Sequence, residues 1–211
     1  PELKEKVLNM FMENLSAVAK NSHDFGDTDL VKFHIKLKEG TRPIRQKLRP
    51  LNPIQSADLE RQLKEWTDEG VIEDSQSEWC SALVTVIKKG TNHLRWCIDF
   101  RALNECTVGD SFPLTSVETC LTQLSDASVF SSLDSAGAYH AIKIHPDSRD
   151  ATSFITPQGL FRFAKLPFGL KNAGAMYSRL MDIAISIFKA KGFALTYLDD
   201  VIIKSRNADE H

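Results

Sequence analysis

The four residues Tyr197-Leu198-Asp199-Asp200 constrain the fold of this chain more than any other stretch. Apolar runs of strand length, 193–196 and 201–203, flank them, so the four residues are predicted to form the tip of a β-hairpin. A tight turn interrupts the alternation of side chains, and two adjacent carboxylates can then lie at one end of a sheet. Adjacent acids at a turn usually indicate only a solvated loop, but these follow a strand of buried character.

A third acid, Asp134, ends another apolar run, 128–133. If this strand neighbours the hairpin, three carboxylates converge, and such a cluster is costly unless divalent cations neutralise it. Carboxylate oxygens are hard ligands that favour Mg²⁺ or Mn²⁺. In a two-metal site, one ion activates a hydroxyl and the other holds phosphate oxygens for an in-line displacement. The pattern therefore predicts the chemistry of nucleotide polymerisation.

Five motifs in a fixed order carry a resemblance to reverse transcriptases. In chain order they are Asp99-Phe100-Arg101-Ala102-Leu103-Asn104, Phe112-Pro113-Leu114, Leu133-Asp134 with Tyr139-His140, the run Leu166-Pro167-Phe168-Gly169-Leu170-Lys171-Asn172-Ala173, and Tyr197-Leu198-Asp199-Asp200. Their order is far more specific than any one of them. Over residues 24–211 the chain resembles the polymerase of gypsy-type LTR retrotransposons.

The resemblance implies an α+β fold: the fingers and palm of a right-hand polymerase, with an antiparallel palm sheet. Residues 1–30 would be an N-terminal helix and linker, 31–111 mainly fingers, and 112–211 mainly palm with the catalytic carboxylates. Helices near 115–125 and 171–190 would back the palm sheet. In relatives the thumb and RNase H domain come later in the chain, so we expect both to be absent from this one.

The resemblance also assigns roles to single residues. It makes Asp134, Asp199 and Asp200 the catalytic residues and the ligands of Mg²⁺ or Mn²⁺, with Asp200 more peripheral. Tyr139 takes the position of the steric gate, whose ring leaves no room for a 2′-hydroxyl; without the family, a buried structural tyrosine is the better interpretation. The other nucleotide-binding candidates are Lys88, Lys89, Arg95, Ser135, Ala136, Phe168 and Gly169, and Tyr197 and Leu198 complete the hairpin motif.

Residues 81–89 and 93–99 are typical of two strands joined around Gly90-Thr91-Asn92. In the family this fingers hairpin closes over the incoming nucleotide. Arg95 resembles the arginine that lies against the triphosphate, and Lys88 or Lys89 the lysine that holds the terminal phosphates; the sequence does not choose between them. The alternative for either lysine is an ordinary hairpin charge.

Patterns elsewhere predict further elements. Residues 2–19 are predicted to form an amphipathic helix and 31–37 a half-buried strand. Ser56 is the predicted N-cap of a helix that stops at Gly70, and Thr115 with Glu118 the capping box of a second helix. Residues 152–156 and 160–165 are predicted to form another hairpin, followed by a helix after Ala173.

The net charge of −2 excludes a generally basic nucleic-acid binder, so any binding surface must be local. Segment 31–49 carries an excess of six positive charges, which suits either a template backbone or a solvated strand face. No apolar run is long enough to span a membrane, and the four cysteines show no metal-site or disulfide spacing. We expect a soluble intracellular protein of the cytoplasm, a virus-like particle or the nucleus.

The predicted reaction is template-directed attack of a primer 3′-hydroxyl on the α-phosphate of a dNTP, with an RNA or DNA template and its primer as partners. A homodimer or a thumb supplied in trans is conceivable.

Three departures from the family pattern occur at Gly174, Tyr177 and the run 135–138, and none removes a carboxylate. The alternatives are a retroelement-derived, inactive nucleic-acid-binding or assembly module, and an RNA-dependent RNA polymerase, which should lack the aromatic gate. The chain is either a piece of a longer polyprotein or a short natural product.

Overall fold

The computed structural model describes residues 2–15, 18–20, 24–87, 90, 94–113, 115–135, 137–187, 190, 192–197 and 200–211. Five candidate site residues, Lys88, Lys89, Ala136, Leu198 and Asp199, lie outside these described residues. The helices are α1 (Glu2–Glu13), α2 (Pro53–Asp68), α3 (Arg101–Cys106), α4 (Val117–Leu124), α5 (Pro146–Arg149) and α6 (Ala173–Ile187). The strands are β1 (Thr28–Phe33), β2 (Ile72–Asp74), β3 (Ser81–Ile87), β4 (Leu94–Asp99), β5 (Val129–Asp134), β6 (Ile142–Ile144), β7 (Phe154–Thr156), β8 (Gly159–Phe163), β9 (Ala194–Tyr197) and β10 (Asp200–Ser205).

Five strands form one sheet in the order β2-β8-β7-β3-β4. Both predicted hairpins are confirmed in it: β3 pairs antiparallel with β4, and β7 with β8. The parallel pairing of β3 with β7 joins the two hairpins. The sheet therefore takes strands from both sides of position 111/112, and the division into fingers and palm at that position stays a prediction.

Helix α2 covers this sheet and supplies much of the core. Leu59 and Leu63 are buried, and the ring of Trp66 meets Phe154 edge-on at 6.5 Å between centroids. Phe154 is fully buried and also packs on Phe163, with ring centroids 5.2 Å apart. Burying large aromatic side chains contributes more per residue than any other apolar contact, so this cluster anchors the five-stranded sheet.

The second sheet is antiparallel and three-stranded, in the order β5-β10-β9. Helices α4 and α6 both pack against β9, as predicted for the palm. Lys204 of β10 donates to the backbone carbonyl of Gln123 at the end of α4 and to Asp126 at 2.6 Å. This sheet positions the hairpin that carries the acidic motif.

A short parallel pair, β1 with β6, ties the N-terminal part of the chain to the palm. The predicted strand 31–37 was wrong in its bounds, because pairing with β6 begins at Thr28 and ends at Phe33. The ladder ends at Phe33, and the Ile35 amide donates instead to the Ser148 hydroxyl at 3.0 Å. Ile35 therefore satisfies its backbone through a side chain and not through a strand ladder.

Two predicted helix caps were wrong by one to four residues. The N-cap of α2 is Asn52 and not Ser56, because Pro53 takes the first helical position and Gln55 completes a capping box with Asn52. The N-cap of α4 is Ser116 and not Thr115, since the Ser116 hydroxyl accepts from the Thr119 amide. Gly70, with φ of +64°, follows α2 as predicted.

Helix α1 ends at Glu13, short of the predicted 19, and its apolar side chains remain exposed. Val7, Leu8 and Phe11, which share the predicted apolar face, are 42%, 53% and 41% exposed, so this face is not buried against the described part of the chain. None of the helices within the described ranges has the length and apolar character needed to cross a membrane.

Candidate active site

The hairpin that carries the acidic motif is present. Strands β9 and β10 pair antiparallel, and Tyr197 lies opposite Asp200 at the closed end of the ladder. Leu198 and Asp199, between them in the sequence, fall outside the described residues. Tyr197 and Asp200, the two described members of the motif, therefore lie at one end of the three-stranded sheet, as the flanking apolar runs predict.

Strand β5 brings a second carboxylate to the same end. Asp134 and Asp200 are direct partners in the antiparallel register of β5 and β10. Residues directly opposite in such a pair have Cβ atoms about 4.5–5.5 Å apart and side chains on the same face. Both residues are exposed, and no ion pair joins either one to a described cation. Two like charges thus face each other without compensation, which is unfavourable.

The donor chemistry of this pair fits a hard divalent cation, because carboxylate oxygens are the ligands that Mg²⁺ and Mn²⁺ prefer. Within the described ranges, no group of three or more His, Cys, Asp or Glu side chains is gathered for a metal. The third predicted ligand, Asp199, lies outside those ranges. The three-carboxylate cluster therefore stays a prediction of which the structure describes two members.

A short 3₁₀ turn, Ala138–Ala141, follows β5 and carries Tyr139 and His140. Gly137 precedes it with φ of +56°, a left-handed conformation that glycine adopts at little cost. A Cβ built on Gly137 would overlap ring atoms of Phe25 from the N-terminal segment. Gly137 therefore serves two purposes at once, because it permits the turn and lets the Phe25 ring lie against the backbone.

The predicted gate, Tyr139, rests on an aromatic cluster. Its half-buried ring meets Phe168 edge-on at 5.0 Å between centroids and Tyr177 at 5.5 Å. Edge-to-face contacts at these distances are favourable beyond the area that they bury. The structure thus brings Tyr139 and Phe168 together, although they are separated by 29 positions in the sequence.

Two departures from the family pattern prove to be partners. The Tyr177 hydroxyl donates to the Ser135 hydroxyl at 2.8 Å. Tyr177 stands where phenylalanine is typical, and Ser135 belongs to the divergent run 135–138. A buried tyrosine hydroxyl needs a hydrogen-bond partner, and the Ser135 hydroxyl is the acceptor for Tyr177. The two departures from the family pattern are therefore coupled.

His140 is buried beneath this cluster, between the rings of Phe25 at 4.8 Å and Phe168 at 5.7 Å. Burial lowers the pKa of His140 to about 4, so the imidazole is neutral at pH 7. Its Nδ1 atom has no hydrogen-bond partner among the described residues. The ring packs between Phe25 and Phe168 beside Tyr139, the predicted gate, and hydrogen-bonds the Leu166 backbone.

The loop that carries Phe168 and Gly169 is fixed by two asparagines. Asn104 donates to the Gly169 carbonyl at 2.7 Å and accepts from the Lys171 amide at 2.8 Å. Asn172 accepts from the Asp110 amide at 3.0 Å and donates to the Val108 carbonyl at 2.8 Å. Both asparagines belong to the sequence motifs, but the motifs alone assign them no role. The signal that could have found them is the side-chain amide, which offers a donor and an acceptor at once.

Arg95 lies on β4 opposite Val86, exposed, in a different sheet from the carboxylate pair. The structure therefore does not join Arg95 to Asp134 or Asp200.

Part of the basic segment 31–49 is engaged in contacts within the protein. Arg49 and Arg101 share the Asp99 carboxylate at 3.3 and 2.7 Å, and the Arg101 guanidinium holds the pKa of Asp99 below its usual range. Lys38 donates to the Glu105 carbonyl at 2.7 Å. A template contact by this segment stays a prediction.

Comparison with known proteins agrees with this geometry. A family model described as reverse transcriptase (RNA-dependent DNA polymerase) matches residues 86–211. The Pol polyprotein from transposon 412 of Drosophila melanogaster is 34% identical over 96% of this chain, and that from transposon gypsy is 36% identical over 72%. The enzymatic polyprotein of cauliflower mosaic virus (strain NY8153) is 30% identical over 86%. The chain spans only 17%, 15% and 27% of these relatives, respectively.

Solved structures confirm the fold. The foamy viral protease-reverse transcriptase in complex with an RNA/DNA hybrid superposes with a TM-score of 0.84 at 18% identity. The native prototype foamy virus protein gives a TM-score of 0.83 at 20% identity. Each comparison covers 100% of this chain and 28% of the other. At such identities the likeness concerns the fold, and it confirms the predicted α+β fingers and palm.

Proposed function

Because the chain belongs to the reverse transcriptase (RNA-dependent DNA polymerase) family, we propose that it is the fingers-and-palm core of an RNA-directed DNA polymerase, a nucleotidyltransferase. The observation that carries this proposal is the register that sets Asp134 opposite Asp200 at the end of the palm sheet where β9 turns into β10. A facing acid pair without a counter-charge costs folding free energy, and a metal-dependent reaction gives it a purpose.

In this proposal Asp134, Asp199 and Asp200 hold Mg²⁺ or Mn²⁺. When bound, the ions would neutralise the carboxylates and polarise phosphoryl oxygens during transfer. The protein's own contribution is to fix two carboxylates on adjacent strands, a rigid support that preorganises the site before substrate arrives.

The nucleotide would lie beside the turn Ala138–Ala141. Tyr139, held by Phe168 and Tyr177, would contact the sugar and exclude a 2′-hydroxyl. Ser135, Ala136, Phe168 and Gly169 would complete the pocket wall, and Arg95 with Lys88 or Lys89 would approach the triphosphate from the fingers hairpin.

The partners proposed are a dNTP and an RNA or DNA template with its primer. The foamy viral neighbours were solved with an RNA/DNA hybrid and with double-stranded DNA, which supports a nucleic-acid partner for the shared fold. All four cysteines are free thiols, which suits a reducing, intracellular compartment.

Primer extension on poly(rA)/oligo(dT) with Mg²⁺ or Mn²⁺ tests this proposal. The chain should extend the primer, and Asp134→Asn should not. Asp209→Asn removes the same charge from an exposed position beyond the other end of β10 and should behave as the unchanged chain. A folded chain that binds the primer–template but never extends it would contradict the proposal and favour the nucleic-acid-binding module. Extension by Asp134→Asn would refute the assignment of that carboxylate.

A further inference from the structure

Phe25 belongs to the N-terminal segment, yet it packs on the turn that carries the gate. Its ring lies where a Cβ of Gly137 would be, so the ring rests directly against the backbone at the start of the turn. The turn begins immediately after Gly137 and places Tyr139 two residues later. A displacement of the Phe25 ring is therefore a displacement of the surface that supports this turn.

A chain of rings links Phe25 to Tyr139. Phe25 contacts His140 with ring centroids 4.8 Å apart, and His140 contacts Phe168 at 5.7 Å. Phe168 in turn meets Tyr139 at 5.0 Å. Of these rings His140 is buried and Phe25 lies directly against it, so deletion of the Phe25 ring leaves a space into which His140 and the turn can shift.

The segment that carries Phe25 is anchored to the palm. Lys143 of β6 forms ion pairs with Asp27 at 2.8 Å and Asp29 at 3.2 Å. Strand β1 begins at Thr28 and pairs with β6, the strand that directly follows the turn. These contacts hold Phe25 in place on the same short stretch of palm that presents Tyr139.

We propose that Phe25 is a positioning residue for sugar selection. Phe25 holds the Tyr139 ring in the position from which it excludes a 2′-hydroxyl. This inference rests on the proposed function, because it assumes that Tyr139 is the gate of a deoxynucleotide polymerase. Selection by an apolar wall depends on close contact, and a small retreat of the ring opens room for one hydroxyl. The N-terminal segment, which lies outside residues 86–211 of the family match, is therefore part of the specificity of the site.

The test compares kcat/KM for a dNTP with kcat/KM for the rNTP of the same base, in the unchanged chain and in Phe25→Ala. The preference for the dNTP should fall roughly tenfold in the variant, the scale on which one apolar contact changes selectivity. Phe25→Leu retains an apolar filler and should keep most of the preference. A loss of folded protein lowers both rates equally, so the ratio reports position and not stability.

Phe161→Ala is the matched control. Phe161 is also half-buried and ring-packed, 6.1 Å from Phe154, but it lies in the five-stranded sheet. Its removal should lower activity only through stability and leave the ratio unchanged. An unchanged ratio in Phe25→Ala, in a chain that does synthesise DNA, would overturn the positioning role and leave the proposed function standing. A folded chain that incorporates neither nucleotide refutes the proposed function, and the inference falls with it.

Discussion

His140 is a neutral, buried histidine in the aromatic cluster beside Tyr139, the predicted gate. Burial lowers its pKa to about 4, against an ordinary value of 6.5 in the unfolded chain. Between these two values the unfolded chain binds more protons than the folded one, so stability rises with pH across that window. The contribution of neutral His140 to the free energy of unfolding is fully present above pH 6.5 and is lost as the pH falls toward 4.

We therefore expect the free energy of unfolding to drop by about 3 kcal/mol between pH 7 and pH 4 through this residue. Urea unfolding of the unchanged chain and of His140→Leu, repeated between pH 4.5 and 7, measures the effect. Arg101 and Arg179 hold the pKa values of Asp99 and Asp110, respectively, below their ordinary range. The stability that these two carboxylates contribute is therefore lost at a lower pH than the contribution of His140. Equal pH slopes for the two proteins would contradict the prediction.

Residues that belong to motifs could be predicted from the sequence, whereas residues that act through distant contacts could not. The acids and Tyr139 occupy recognisable positions in an ordered set of motifs. Phe25 meets Gly137 across more than a hundred positions, and no local pattern couples the two. The missing Cβ of Gly137 makes room for the Phe25 ring, and this contact is visible only in the structure.

Among the elements, the pairing of β5 with β10 carries a cost that can be measured. Asp134 and Asp200 are like charges directly opposite each other, and such pairs are destabilising. Without divalent cations, Asp134→Asn should therefore raise the free energy of unfolding by about 0.2–1 kcal/mol.

Addition of Mg²⁺ should stabilise the unchanged chain more than the Asp134→Asn variant, because a cation that binds only the folded state adds to its stability. Urea unfolding with EDTA and with excess Mg²⁺ measures both effects, and Asp209→Asn is the control for the lost charge. A variant that is less stable than the unchanged chain in EDTA would contradict this account of the pair.

Helix α2 offers a test of its observed start. The Asn52 side chain accepts from the Gln55 amide at 2.8 Å, and Gln55 returns a bond to the Asn52 amide at 3.0 Å. Asn52→Ala should cost about 1 kcal/mol of stability, the usual value of an N-cap. Ser56→Ala lies inside the helix and should change stability little. Thermal unfolding compares them, and a larger loss for Ser56→Ala would contradict the observed cap.

The hairpins were predictable because each has its turn signal and its alternation within a few residues. The starts of helices were harder to predict than the hairpins, because Asn52 and Ser56 are both residue types that favour the N-cap. The deciding signal was Pro53, which prefers the first helical position. The register of Asp134 with Asp200 could only be stated as a condition, because strands so distant in sequence reveal no pairing by pattern.

For the whole molecule, the fold extends well beyond the part that the family model matches. That match begins at residue 86, but β1, α2, β2 and most of β3 precede it. Core residues Phe33, Leu59, Leu63, Val71 and Leu83 all lie in this earlier part and are 0–5% exposed. Residues 86–211 alone would expose the surfaces that these side chains cover.

A fragment of residues 86–211 should therefore show no cooperative unfolding transition. Circular dichroism in urea measures this, with the full chain as control; the full chain should unfold in one steep transition whose slope reflects the surface it exposes. A cooperative transition in the fragment would show that the earlier part is dispensable to the fold.

The central claim is that the facing carboxylates at the end of the palm sheet perform nucleotidyl transfer. Single-turnover incorporation of one dNTP tests it most directly, with the protein in large excess over the primer–template so that weak binding does not limit the reaction. The account predicts incorporation by the unchanged chain and by Asp209→Asn, and none by Asp134→Asn or by the double variant Asp199→Asn, Asp200→Asn. Incorporation by either carboxylate variant at the rate of the unchanged chain would contradict this claim. So would the absence of incorporation by the unchanged chain when it is folded.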